Sequence, residues 1–320
     1  MAFSSRSPSS PEIVVLGGYG AMGQIIVRDL AQYAGGMNIV IAGRDEKKAN
    51  AFMHSLSSKN KNVCFTFCYV NDLAQTTSVL KHANVCVNAV QYQLNEKIMR
   101  ACLAAKCHYL DLGGLFHMTR KQLKWHAKFK QKNLLAVLGM GAAPGVTNIF
   151  ARIAMEKLDA VQEIHCRVGG KDSTRIPNPP VIFFPYSPKT VLEEHSLNPM
   201  IFTRGKHQKV EPRSQKEEVD FGPGVGKLTA MATLHSEVAT LPFFVKVIRE
   251  CTFKIAFPDD YEQKVSFLAE AGFAKPENID FTAKILSQIP RPRVTPKDME
   301  VVRAYAVGKK KGKIKTVWVD

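Results

Sequence analysis

The sequence predicts an α/β chain in two parts, a doubly wound parallel sheet followed by an α+β region built on a mixed sheet. Three observations predict it. An apolar strand, Glu12–Leu16, runs straight into Gly18-Tyr19-Gly20-Ala21-Met22-Gly23. Strand-like and helix-like segments then alternate to about residue 141, the order that a parallel sheet with helical crossovers requires. Beyond Gly141 the beat changes to runs of strands with few helices, as in α+β architectures. The first part is thus of Rossmann type, and the divisions read as a disordered Ser/Pro-rich tail over residues 1–11, a nucleotide-binding domain over 12–143, and a substrate and dimerisation domain over 144–320.

In the first part the strands read at Glu12–Leu16, Asn38–Ala42, Asn62–Val70, Val85–Val90, His108–Leu112 and Leu134–Leu138. Helical spacing of apolar residues falls at about 21–34, 46–57, 72–82, 93–106 and 117–132. In the first helix Met22, Ile25, Ile26 and Leu30 fall on one face. Six strands with crossovers imply the order 3-2-1-4-5-6, with ligands beyond the carboxyl ends where the order reverses. The second part opens with a helix after Pro144-Gly145, carrying Val146, Ile149, Ile153 and Met155. Strand-like runs follow at Glu163–Val168, Val181–Phe184, Met200–Arg204, Thr252–Phe257, Val301–Val307 and Ile314–Val319, with one further helix of good length at about 259–271. Residues 177–199 read as turns or a lid, and Lys309–Lys313 as a hairpin turn.

The glycine turn has the form of a dinucleotide site. Gly18 allows the tight turn, Gly20 admits a pyrophosphate to the backbone, and Gly23 lets the helix pack against the strand. The helix start, with Tyr19, Ala21 and Met22, offers free N–H groups and a partial positive charge to phosphates. Asn88 and Ala89, ending the fourth strand, flank the same switch point. Arg44, at the end of the second strand, stands near the place where NAD enzymes put a ribose-binding acid. A guanidinium there suits the 2′-phosphate of NADP, which makes NADP the expected cofactor ahead of NAD. On the other reading Arg44 is a solvated residue, and Asp45 binds the ribose or caps the next helix.

Composition bounds the rest. The 320 residues are 45% hydrophobic and 22% charged, ordinary for a globular protein. The apolar runs are too short for a transmembrane helix, so no membrane partner is expected. The net charge of +16 is spread along the chain, and the aromatic strand motif of an RNA-binding sheet is missing, so no nucleic acid is expected. The seven cysteines show no paired metal framework and read as reduced thiols of a cytoplasmic protein. No metal spacing occurs among the nine histidines.

Asn88-Ala89-Val90, His108-Tyr109-Leu110-Asp111-Leu112-Gly113-Gly114, Gly139–Asn148, Tyr186–Glu194 and Thr233–Pro242 resemble the saccharopine dehydrogenase family, in the branch that also holds lysine 6-dehydrogenase-like proteins. The resemblance spans roughly residues 12–320. It implies an NAD(P)-dependent oxidoreductase that moves hydride at a C–N bond of an amino-acid-derived substrate, by reductive amination of a semialdehyde or its reverse. It further implies a homodimer. Two departures stand out. Ala143 replaces the Asp that some members carry before Pro-Gly, and the chain stops at Asp320, where related chains continue. The alternative is therefore a catalytically silent NADP-binding regulatory protein. His235, Glu237 and Asp111 are the candidates for proton transfer or amine binding. Each has a plainer reading, His235-Ser236-Glu237 as a helix start capped by Ser236 and Asp111 as a turn residue. Arg167, Arg175 and Arg204 are candidate clamps for a substrate carboxylate.

Overall fold

A computed structural model describes residues 10–56, 62–290 and 294–320. The chain forms two compact units, Met1–Gly141 and Ala142–Asp320. Most of the expected tail, residues 1–9, lies outside the described residues, as does residue 57 of the expected second helix. Pro11 already belongs to the sheet, its carbonyl accepting the Asn38 amide at 2.8 Å.

The first unit is a six-stranded sheet: β1 (Glu12–Leu16), β2 (Asn38–Gly43), β3 (Val63–Phe67), β4 (Val85–Asn88), β5 (His108–Asp111) and β6 (Ala136–Val137). All pairs are parallel, and the order is 3-2-1-4-5-6. All five β1 residues are buried, as a central parallel strand with both faces covered demands. Helices α1 (Ala21–Tyr33), α2 (Glu46–His54), α3 (Leu73–Leu80), α4 (Asn95–Ala105), α5 (Phe116–Leu123) and α6 (His126–Gln131) make the crossovers. Asp45 and Asp72 cap α2 and α3 by accepting the amides of Lys48 and Gln75.

Two details differ from the periodicity. Helix α1 buries Gly23 and Val27, with Ile26 and Leu30 packed beside them, and leaves Met22 and Ile25 exposed. The Gly23 contact explains this. A Cβ there would lie 2.2 Å from the Gly17 carbonyl oxygen, so the glycine rotates its own side of the helix inward. The segment expected as one helix at 117–132 is two, α5 and α6, separated at Lys124-Trp125.

The second unit opens with α7 (Val146–Glu156), then β7 (Ala160–Asp172) and α8 (Pro188–Ser196). Next come β8 (Met200–Thr203), β9 (Lys206–Lys209), β10 (Glu217–Asp220), β11 (Lys227–Ala232) and α9 (Glu237–Phe244). The chain continues through β12 (Glu250–Ala256), α10 (Asp259–Glu270), α11 (Ile279–Leu286), β13 (Asp298–Lys310) and β14 (Lys313–Val319). The sheet is mixed and eight-stranded, ordered 10-11-12-7-13-14, with β8 paired to β12 and β9. Strands β12 and β7 run parallel, and β13 lies antiparallel to β7.

Helix α7 presents its small residues to the sheet. Ala151 and Ala154 are buried and Ala154 packs with Ala306, while Val146, Ile149 and Ile153 are exposed. Residues 181–184 form no strand. Phe184 instead packs with Val191, Leu192 and Val265 beneath α8. The hairpin turn falls at Lys311-Gly312, both at positive φ. No helix among the described residues is long and apolar enough to cross a membrane.

Candidate functional site

In the first unit the turn after β1 is built by close approaches. Gly17 takes the positive φ of +75° and donates its amide to the Ala42 carbonyl at 2.8 Å. The sequence pointed to Gly18 for that role. Gly18 is instead hemmed in, its Cβ position 3.2 Å from Ile41, Val27 and the Val15 carbonyl. At Gly20 a Cβ would meet only the Gly17 oxygen, at 3.1 Å. The outer side of Gly20 is therefore open to a ligand. As the N-cap of α1 it brings no side chain to the first-turn amides. Uncapped amides beside an open glycine fit a diphosphate.

The end of β2 completes this cradle. Arg44 is exposed, and its guanidinium has no partner among the described residues. Asp45 is committed elsewhere. Its Oδ1 accepts the Lys48 amide at 3.0 Å, and that bond with the charge of Lys48 holds its carboxyl below the usual range. Between them and the glycine turn stands Tyr19, whose hydroxyl accepts the amides of Arg44 at 2.9 Å and Asp45 at 3.0 Å. At the end of β4, Asn88 is buried and donates to Asn95 Oδ1 and the Tyr109 hydroxyl, at 2.8 and 3.1 Å. The carbonyl of Ala89 lies 3.1 Å from the Cβ position of Gly17, so strands β1 and β4 bring the two segments together.

Asp111, ending β5, is a hub with every lone pair in use. Its Oδ1 accepts the amides of Gly113 and Gly139 at 2.9 and 2.7 Å. Its Oδ2 accepts from Tyr109 at 2.8 Å, Gln122 at 2.6 Å and Asn95 at 3.2 Å.

The second unit holds a different kind of buried carboxylate. Glu237, at the start of α9, is fully buried, and its Oε2 pairs with His235 Nδ1. Its Oε1 accepts the Thr147 hydroxyl at 2.6 Å, tying α9 to the first turn of α7. Asn148 adds a bond to Thr240 at 3.2 Å. The His235 ring stacks on Phe253 of β12, centroids 3.9 Å apart and 10° from parallel. The segment is a helix start with Ser236 at the N-cap position, as the plainer reading has it, but without a side-chain cap bond.

Burial alone would push His235 down. The charge and hydrogen bond of Glu237, aided by Glu194, outweigh it and raise the imidazole above its ordinary value. His235 Nε2 makes no hydrogen bond among the described residues. Glu194, itself raised by burial, accepts from the Tyr186 hydroxyl. Sequence reasoning missed Thr147, Glu194 and Phe253, which reach the histidine only through tertiary packing.

Of the three arginines considered as clamps, Arg167 is occupied. It is buried and bonded to Glu217 at 2.9 Å and to the Tyr305 hydroxyl at 3.1 Å. Arg175 and Arg204 are exposed. Among the described residues no group of three or more His, Cys, Asp or Glu is arranged to hold a metal ion.

Comparison with known proteins agrees with this geometry. Residues 13–137 match the family described as the saccharopine dehydrogenase NADP binding domain. The carboxynorspermidine synthase of Vibrio cholerae is 24% identical over 94% of this chain and 79% of its own. The carboxyaminopropylagmatine dehydrogenase of Synechocystis is 22% identical over 96% and 80%. Among solved structures, the apo histidine-tagged saccharopine dehydrogenase (L-Glu forming) of Saccharomyces cerevisiae superposes with a TM-score of 0.68. That likeness covers 96% of this chain and 84% of the yeast chain at 13% identity, and it is one of fold. With its glycine turn open to a diphosphate and NADP as its cofactor, the stretch from residue 13 to 137 is the nucleotide-binding domain of a saccharopine dehydrogenase-like oxidoreductase.

Proposed function

We propose that this protein joins an amine to a carboxyl-bearing semialdehyde by NADPH-dependent reductive amination. The amine condenses with the aldehyde, water leaves, and the resulting C=N bond is reduced to a secondary amine. The observation that carries the reading is the buried His235–Glu237 pair, with one imidazole nitrogen held and the other free. The choice of amine and acid follows two relatives that span nearly the whole chain and are named for carboxylated derivatives of norspermidine and aminopropylagmatine.

When bound, NADPH supplies the hydride that becomes the new C–H bond. The Gly17–Gly23 turn and the α1 amides would hold its diphosphate, and Arg44 its 2′-phosphate. The chain's own residues manage the protons. His235 delivers one from Nε2 to the hydroxyl that leaves as water, and Glu237 stabilises the imidazolium from the other side. Thr147 fixes the second oxygen of Glu237, so the carboxylate keeps its orientation while the ring changes charge. Asp111 acts as a positioning residue, setting the loops after β5 and β6. The protein works as a homodimer in the cytoplasm.

The test is NADPH oxidation by the purified protein with amine and semialdehyde pairs, beside a Gly20→Val variant. The open side of Gly20 predicts that this variant folds and loses cofactor binding. Oxidation of NADPH with one such pair, absent in the variant, supports the reading. Silence with every pair, or cofactor binding unchanged in the variant, overturns it.

A further inference from the structure

The mixed sheet of the second unit gathers three turns at one end. Strands β7 and β12 begin there, and β8 and β13 finish there. Backbone hydrogen bonds tie the turns into one surface. The Gly205 amide of the β8–β9 turn donates to the Arg249 carbonyl at 3.1 Å, and the Arg249 amide donates to the Gln162 carbonyl at 2.7 Å. Beside the start of β7, the Asp159 amide donates to the Lys309 carbonyl at 2.8 Å, which brings in the β13–β14 hairpin.

Large apolar side chains stand out of this end. The last turn of α9 and the loop after it leave Phe244 70% and Val247 72% exposed, with Phe243 at 48%. The two phenylalanine rings meet edge to face, centroids 4.9 Å apart. Single surface phenylalanines need no explanation, but neighbours grouped at a tip mark a contact surface. Ile314, opposite Lys309 in the β13–β14 register, is exposed as well. Cations frame these side chains. Lys246 and Arg249 flank Val247, Arg204 and Lys206 belong to the adjoining turn, and Lys309, Lys311 and Lys313 sit at the hairpin tip. All of them are exposed, and none has a carboxylate partner among the described residues. Two acids at the same end are committed to local bonds. Asp159 pairs with Lys310 at 3.0 Å and accepts the Lys311 amide at 2.7 Å. Glu250 accepts the Thr203 hydroxyl at 3.1 Å and the Arg204 amide at 3.0 Å.

An apolar tip ringed by unpaired cations is complementary to a surface that is negative outside and apolar beneath. An anionic bilayer is such a surface: aromatic and aliphatic side chains enter its headgroup layer, and Lys and Arg hold the lipid charges around them. A polynucleotide would take the charges and leave the apolar tip in water. A peptide partner calls for a groove or a free strand edge, whereas Phe244 and Val247 project outward. No described helix is long and apolar enough to cross a bilayer, and contact with one surface requires none.

We propose that this end of the second unit docks on anionic membrane surfaces, with Phe243, Phe244 and Val247 entering the headgroup layer and the surrounding lysines and arginines held by anionic lipid. Docked this way, the bilayer lies at the end of the sheet opposite the cavity of about 490 Å³ beside Asp172 and Asp298.

The experiment is co-sedimentation of the full chain with phosphatidylserine-rich vesicles and with pure phosphatidylcholine vesicles, at low and high salt, repeated on Phe244→Ser and on the double variant Lys311→Gln/Lys313→Gln. The altered side chains are exposed, so both variants should fold with undiminished thermal stability. The expected result is binding to the anionic vesicles alone, reduced by high salt, and weakened about tenfold or more in each variant. A control pair of exposed lysines in the first unit, Lys121→Gln/Lys124→Gln, should leave binding nearly unchanged. Failure to bind the anionic vesicles overturns the proposal. So does binding that Phe244→Ser leaves intact, or that the control pair weakens equally, since either would reduce the effect to net charge. Equal affinity for soluble polyglutamate would give the surface to an acidic partner and overturn it as well.

Discussion

Asp111 and Glu237 are both buried carboxylates surrounded by hydrogen-bond donors, and they are opposite devices. Asp111 accepts five bonds, two of them from backbone amides in the loops after β5 and β6. Nothing is left with which to meet a substrate. Glu237 accepts from one hydroxyl and one imidazole, and the imidazole keeps a nitrogen free. A carboxylate whose lone pairs are saturated by fixed groups holds architecture together. In the proposed reaction, the one paired with a half-free histidine is the one that moves a proton.

Removing the histidine tests the contrast most severely. His235→Gln should lower kcat by about 10²–10⁴-fold, the usual worth of a general acid, with NADPH affinity unchanged. Turnover close to that of the parent would reduce the pair to a structural bond. Asp111→Ala should act on the fold instead. It takes the shared acceptor from five donors, two of them backbone amides, and should cost about 3–5 kcal/mol in urea unfolding. A loss below about 1 kcal/mol would mean that the loops do not depend on the hub.

The same contrast recurs on a smaller scale at the end of β2. Arg44 is unpaired, whereas Asp45 is spent on capping α2. Arg44→Ala should therefore weaken NADPH binding by about one to two decades and leave NADH untouched. Equal affinity of the parent for both cofactors would remove Arg44 from the site. The smallest effect is one of pH. Because the folded imidazole of His235 titrates above its unfolded value, the pair's contribution to stability is complete below about pH 6.5. It fades as the pH rises through the folded value. The gap in Tm between the parent and His235→Gln should thus narrow from about pH 6 to about pH 9, and a gap that widened would reverse the assigned direction.

The first unit was readable because its signals are local. β1 was placed to the residue, and the strand order followed from alternation and crossover geometry. In α1 and α7 small residues pack inward, while Met22, Ile25, Ile149 and Ile153 lie exposed. Apolar periodicity cannot see a contact made by Gly23 or Ala154. The second unit hid more. Strand β10 is Glu217-Glu218-Val219-Asp220, whose charge conceals a strand that the Val219 core contact and pairing with β11 stabilise. His235 and Glu237 stand two apart in sequence and were visible as a pair. Their setting was not, because Thr147, Glu194 and Phe253 come from three separate elements.

Tyr19 carries a constraint on how this protein can change. Its ring occupies the space beside Gly43, where a Cβ would lie 2.6 Å from the ring carbon Cε1 and from the hydroxyl. Any larger residue at 43 must expel Tyr19, and with it the acceptor that orders the Arg44 and Asp45 amides. Positions 19 and 43 are therefore epistatic. A mutational path toward a different dinucleotide preference through residue 43 would have to pass first through residue 19, and single substitutions at 43 should be rare survivors in a library selected for function.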